Sequence, residues 1–217
     1  MIVNVCFHGI GVSRREREPG EARYWMAQDV FLRVLDEAAD RPHVRLSFDD
    51  GNRSDVDIAL PALRERGLTA TFFALAGRLD DPASLSPADL AELRSAGMSI
   101  GSHGWEHVPW RGLSDTAARR EFVDARRALA QASGATITEA AFPLGRYDRS
   151  TLRRLKSAGY RTVYSSDRFP ARPGSWLQAR YSVSSTDDVE SVRRVMAGRP
   201  GAHEARNVAA SMVKRLR

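Results

Sequence analysis

Two short stretches hold the residues best suited to chemistry, Ser47-Phe48-Asp49-Asp50-Gly51 and Ser102-His103-Gly104-Trp105-Glu106-His107. The first ends an apolar run with two adjacent carboxylates and a glycine. The second supplies two imidazoles four residues apart. Together they offer a divalent metal one carboxylate and two neutral nitrogens, and leave a second carboxylate beside it. Three protein ligands, open positions for water and substrate, and a neighbouring base make a hydrolytic metal site. Each stretch alone has a plainer reading. Asp-Asp-Gly after a strand serves as a turn, and Gly104 and Pro109 make the histidine segment a loop that can hold one structural and one exposed imidazole. The combination is what points to one divalent metal, zinc before other first-row ions.

Such residues need a scaffold that brings distant segments to one point. Short apolar runs alternate with segments of helical period, which predicts an α/β domain of parallel strands. The strands are expected at Ile2–Phe7, Val44–Phe48, Thr69–Ala74, Met98–Gly101, Ala140–Phe142, Thr162–Ser165 and Arg180–Val183. Between them, Ser86-Pro87-Ala88-Asp89 opens a helix that Gly97 closes, Ser114 caps a segment ending at Gly134, and Thr151–Ala158 stops at Gly159. About seven strands with intervening helices suggest a single-domain, distorted (β/α) barrel over residues 1–200, followed by a basic, helical tail over 201–217. In barrels and parallel sheets, chemistry sits at the C-terminal ends of the strands. His8 ends the first strand, Asp49 and Asp50 follow the second, and His103 and His107 follow the fourth. Pro143-Leu144-Gly145 follows the fifth and Ser166-Asp167 the sixth, with Phe169–Ser175 expected as one loop on the same face.

Composition narrows the function classes. The chain has 217 residues, 42% hydrophobic and 28% charged, ordinary for one globular domain. Its single cysteine, Cys6, excludes an internal disulfide framework. The net charge of +6 comes almost entirely from arginine spread along the chain, since Lys156 and Lys214 are the only lysines. With no nucleic-acid motif and no interleaving of basic and aromatic residues, a specific nucleic-acid partner is not expected. The end of the chain differs: Ala209, Met212, Val213 and Leu216 fall at helical spacing among Lys214, Arg215 and Arg217. That pattern fits peripheral contact with an anionic membrane, against the plainer reading of a frayed terminus. No apolar stretch is long enough to span a membrane, and the run from Met1 to Cys6 is too short for a signal peptide. With residue 1 as the start, a cytoplasmic protein is expected.

The two opening stretches, in this order and separation, resemble the first two motifs of the polysaccharide deacetylase (NodB-homology) family, carbohydrate esterase family four. The resemblance extends over most of the chain. It implies that Asp50, His103 and His107 bind the metal and that Asp49 is the general base. Ala140-Ala141-Phe142-Pro143-Leu144-Gly145 resembles the third motif, whose backbone N–H, here at Leu144, helps hold the oxyanion. Three features depart from the family pattern. Ala141 stands where many members carry the arginine that orients the base, so Arg180, or secondly Arg146, must take that place. The late Asp-Trp motif is absent, with Asp167 a weak stand-in. The late Leu-x-His that supplies the general acid is missing after Trp176. Cys6-Phe7-His8-Gly9-Ile10 resembles the opening of exopolysaccharide N-deacetylases whose motifs are circularly permuted, and there His8 would protonate the departing amine. A closed barrel allows this, because its first and last strands are neighbours.

The resemblance implies hydrolysis of an N-acetyl group on an amino sugar in a poly-, oligo- or carrier-linked saccharide. Trp105, Trp110, Tyr147 and Trp176 offer flat faces for sugar rings, or serve simply as packing. Two other readings stay open: a hydrolase of a non-sugar amide on the same barrel, and a catalytically silent carbohydrate-binding domain.

Overall fold

In chain order the elements are β1 (Val3–Phe7), β2 (Gly9–Ile10), β3 (Trp25–Met26), α1 (Gln28–Ala39), β4 (Val44–Phe48), α2 (Leu60–Glu65), β5 (Ala70–Ala74), α3 (Pro87–Ser95), β6 (Ser99–Ser102), α4 (Asp115–Arg119), α5 (Ala125–Ser133), β7 (Glu139–Ala141), α6 (Arg149–Ser157), β8 (Thr162–Ser165), β9 (Leu177–Ser182), α7 (Val189–Met196) and α8 (Ala202–Leu216). The computed structural model describes residues 1–13, 16–198 and 201–217. Strands β1, β4, β5, β6, β7, β8 and β9 form a closed parallel barrel in that order. It shuts where Asn4 of β1 registers with Arg180 of β9. The expected seven-stranded (β/α) barrel is therefore present, with strand ends shifted by a few residues at most.

The period of two along each strand explains where the polar groups go. Val3, Val5 and Phe7 of β1, Leu46 and Phe48 of β4, and Ala70 and Phe72 of β5 face outward and join one apolar layer with Phe31, Leu35, Leu63 and Leu93 of the helices. The alternate positions face the barrel axis, and many are polar: Asn4 and His8 from β1 and its end, Ser47 and Asp49 at β4, Gln178, Arg180 and Ser182 on β9. A polar interior with an apolar exterior thus delivers His8, Asp49, His103 and Arg180 to one end of one axis. Gly101 takes part by lacking a side chain, since a Cβ there would lie 2.4 Å from the ring of Phe73. That ring and Tyr164 in turn flank the Arg180 guanidinium, whose centre lies 5.2 and 5.7 Å from the two centroids.

Two expectations need correction. Arg180 stands inside β9, not at its start, because the polar residues Gln178 and Arg180 interrupt the apolar run without interrupting the strand. Phe169–Ser175 is not an active-face loop. Ala171 exchanges backbone hydrogen bonds with Ile2 at the opposite end of the barrel, so this stretch carries the chain down between β8 and β9 in place of a helix. Only its predecessors, Ser166 and Arg168, reach the active face.

α8 braces that face. Its Lys214 Nζ pairs with Asp167, and its Ser211 Oγ lies 3.0 Å from the Tyr147 hydroxyl, which donates to Asp167 Oδ2 at 2.6 Å. Burial raises the Asp167 carboxyl, but Lys214 and the Tyr147 and Ser165 hydroxyls more than reverse this and hold it below its ordinary value. A depressed native pKa contributes stability above the unfolded value of about 3.9, lost as pH falls through the native one. Asp167→Asn is accordingly expected to lower stability at neutral pH and to flatten its acid dependence below about pH 4, as measured by urea unfolding across pH.

Candidate active site

Asp49 follows β4 in strand geometry, whereas Asp50 turns with a left-handed φ of 74°. Extended backbone would send neighbouring side chains to opposite faces; the turn lets both carboxylates reach one cavity. That cavity has a volume of about 350 Å³, and Asp49, Asp50, His8, His103, His107, Leu144 and Arg180 all line it. His107, Leu144 and Arg168 are the other described non-glycine residues with positive φ, and each lines the same cavity. Left-handed backbone costs such residues about 1–3 kcal/mol each, and here the cost falls at a single place.

Asp49 is buried against Arg180. The guanidinium donates from Nη1 to Oδ1 at 2.7 Å and from Nη2 to Oδ2 at 2.6 Å, and Nη1 also reaches Ser47 Oγ at 3.1 Å. Burial pushes the Asp49 carboxyl up, but Arg180 and His103 outweigh it, so the group lies below its ordinary value and is ionised at neutral pH. Of the two arginines considered from sequence, Arg180 touches Asp49; Arg146 is an exposed residue at the cavity rim.

Asp50 Oδ1 lies 3.4 Å from His103 Nε2 and 3.3 Å from His107 Nε2, and is buried without a hydrogen-bond partner. The far nitrogens are already committed. His103 Nδ1–H donates to the Ala141 carbonyl at 2.9 Å, and His107 Nδ1–H donates to Glu18 Oε2 at 2.6 Å. Both Nε2 lone pairs are thereby aimed at the orphaned carboxylate oxygen. Burial depresses the His103 imidazole, yet Asp49 and Asp50 raise it above its ordinary value, the signature of a point that favours a cation. One carboxylate and two oriented imidazoles fit a divalent metal with open positions. A second trio, Cys6, His8 and Asp49, also lies close together. It does not fit, because Asp49 is taken by Arg180 and burial pushes the Cys6 thiol well up.

His8 sits in the cavity with its ring stacked on Tyr24, centroids 4.8 Å apart, and its Nδ1 unpartnered. Burial lowers its pKa against the pull of Asp50 and Asp49, leaving it neutral at pH 7. The histidine loop is held by Glu121, which lies in a π-helical turn (Arg120–Asp124) between α4 and α5. Its carboxylate accepts from the Trp105 and Glu106 amides at 2.8 and 3.2 Å and from Trp110 Nε1 at 3.2 Å.

None of the four aromatics considered for sugar faces lines the cavity. Trp110 is buried against Phe122 and Phe142, and Tyr147 stacks on Phe142. Trp176 donates to the Tyr160 carbonyl, and Trp105 lies under Arg120. Tyr24 and Phe142 line it instead. Asp167 holds α8 and does not enter the cavity. Glu18 is the main residue that sequence reasoning missed. It comes from the stretch between β2 and β3, 89 positions from His107, and no local pattern announces it. Glu18→Gln, which leaves His107 oriented by a weaker acceptor, is expected to lower metal affinity about 10–100-fold, measured by competition with a chelator.

A family model described as polysaccharide deacetylase matches residues 36–163. Chitooligosaccharide deacetylase of Rhizobium leguminosarum bv. trifolii is 30% identical over 170 residues, covering 77% of this chain and 73% of that protein. A Bacillus subtilis protein provisionally named a polysaccharide deacetylase, YxkH, is 27% identical over 140 residues, 64% of this chain and 50% of its own length. The chain spans about half the length of the first curated relatives it matches. In fold it resembles the Streptococcus pyogenes deacetylase PplD, solved in complex with acetate, with a TM-score of 0.79 at 21% identity over 92% of this chain and 98% of that one.

Proposed function

The chain belongs to the polysaccharide deacetylase family, and from that premise we propose that it is a metal-dependent hydrolase that removes the N-acetyl group from an amino sugar. The observation that carries this reading is the adjacency of two differently committed carboxylates, Asp50 facing two imidazoles and Asp49 facing Arg180. Asp50, His103 and His107 would hold the ion, zinc by donor type. When bound there, it supplies a Lewis acid that polarises the acetyl carbonyl and makes water acidic.

The chain's own groups do the rest. Asp49, kept ionised and fixed in orientation by Arg180, takes a proton from the attacking water as its oxygen bonds to the acetyl carbon. The N–H of Leu144, a residue with left-handed backbone that lines the cavity, would donate to the developing oxyanion. The carbon–nitrogen bond then breaks, and the amine leaves with the proton that Asp49 took from the water, which His8 is placed to relay. Its depressed pKa means that it carries that proton only transiently. Acetate and a free amino sugar result.

Arg146 and Arg168 also line the cavity; Arg168 Nη1 donates to the Ser182 carbonyl at 2.8 Å, and neither guanidinium pairs with a carboxylate among the described residues. They favour a substrate bearing a phosphate, as a carrier-linked sugar does. The test is acetate and free-amine release from neutral N-acetylated oligosaccharides beside phosphate-linked N-acetyl sugars. Stoichiometric acetate and amine from any of them supports the deacetylase; none from sugars but turnover of simple amides would move the reading to a non-sugar amide hydrolase.

A further inference from the structure

We propose that the outer face of α8 is an interfacial helix surface that seats the mouth of the cavity against an anionic lipid membrane. The inner face is occupied. Asn207 Nδ2 donates to the Arg168 carbonyl at 3.0 Å, Ser211 meets Tyr147, and Lys214 meets Asp167. These three positions follow i, i+4 and i+7 spacing, the stripe a helix presents to one neighbour. The opposite stripe carries Ala205, Ala209, Met212, Val213 and Leu216, with Met212 56%, Val213 48% and Leu216 77% exposed. Arg206, Arg215 and Arg217 flank it, all exposed and none paired with a carboxylate among the described residues.

The surface continues toward the cavity. The Arg217 carbonyl accepts from the Arg149 amide at 3.0 Å, joining the end of α8 to the start of α6. From exposed Arg149 at that junction the chain leads back three residues to exposed Arg146 at the cavity rim, and Leu144, 54% exposed, lines the cavity itself. Apolar side chains ringed by unpaired arginines match the two attractions of an anionic bilayer, insertion below the headgroups and contact with lipid phosphates. Three large apolar side chains on a convex helix fall short of the roughly 800 Å² per partner that stable protein interfaces bury, which favours lipid over a second protein. Docking in this orientation would bring a lipid-carried sugar to the site, a consequence that rests on the deacetylase reading; the docking does not.

The test is co-sedimentation of the whole chain with vesicles of phosphatidylcholine alone and of phosphatidylcholine with a third phosphatidylglycerol, at low and high salt. Binding is expected only to the anionic vesicles, and weaker at high salt. Met212→Ser/Leu216→Ser should lower it about tenfold or more, and Arg206→Gln/Arg215→Gln/Arg217→Gln about a hundredfold. Circular dichroism of both variants should match wild type, since none of these side chains belongs to the buried core. Three results would overturn the proposal: no sedimentation with anionic vesicles, equal binding to neutral ones, or unchanged binding by both folded variants. A wild-type dimer in solution that Met212→Ser/Leu216→Ser converts to monomer would also overturn it, by assigning the face to a second copy. Because sedimentation does not require turnover, a failure here and a failure of the deacetylase reading are separate results.

Discussion

Asp49→Asn is expected to lower acetate release by about 10²–10⁴-fold, the range for loss of a positioned general base, with metal content equal to that of wild type. The amide oxygen still accepts one hydrogen bond from Arg180, so the strands remain in register, but the amide cannot take the proton from water. Asp50→Asn should behave differently. It removes the carboxylate that faces both His103 and His107, so metal content falls together with activity. Measuring metal and acetate on both variants therefore separates two neighbouring aspartates by role. A rate for Asp49→Asn within tenfold of wild type would remove Asp49 as the base. Equal metal loss in both variants would mean that the two carboxylates act as one ligand set.

The second large effect is on stability. Arg180→Met strips its bidentate guanidinium from a carboxylate that is 3% exposed. An uncompensated buried charge of this kind costs about 3–5 kcal/mol, read as a lower urea midpoint with an unchanged slope. Arg180→Met/Asp49→Leu should recover much of that loss, because replacing both members of a buried ion pair with apolar groups is often close to neutral. It should recover no acetate release. Stability without activity would mean that the pair is kept for its chemistry. A double variant no more stable than Arg180→Met would instead make the pair a structural necessity of the barrel.

Much of this architecture is legible in the sequence, for a physical reason. The outward positions of the strands are apolar because they face helices, so β1, β4 and β5 read as apolar runs, and the residues that follow them read as mouths. Asp49, Asp50, His103 and His107 fall at such mouths. Where inward positions are polar the reading slips. Gln178 and Arg180 break the apolar pattern of β9, which moved its expected start to Arg180 although the strand begins at Leu177. Glu18 lies in a stretch with no period, and it meets His107 only because the chain closes over the barrel mouth. The sequence around Trp110 and Tyr147 admits two readings, because a tryptophan or tyrosine on a loop packs inward or faces ligand with the same local sequence; here Phe122 and Phe142 decide it. Phe169–Ser175 has the proline and glycine of a surface loop, and nothing local reveals that Ala171 bridges to Ile2.

In the proposed function, hydrolysis of an N-acetyl sugar requires a metal held by Asp50, His103 and His107. The most direct measurement is metal content and acetate release on one preparation, before chelation, after it, and after readdition of zinc. About one ion per chain is expected, with acetate release that disappears with the metal and returns with zinc, and neither property in His103→Ala/His107→Ala. Acetate release that persists at full rate in the chelated, metal-free protein would contradict that requirement.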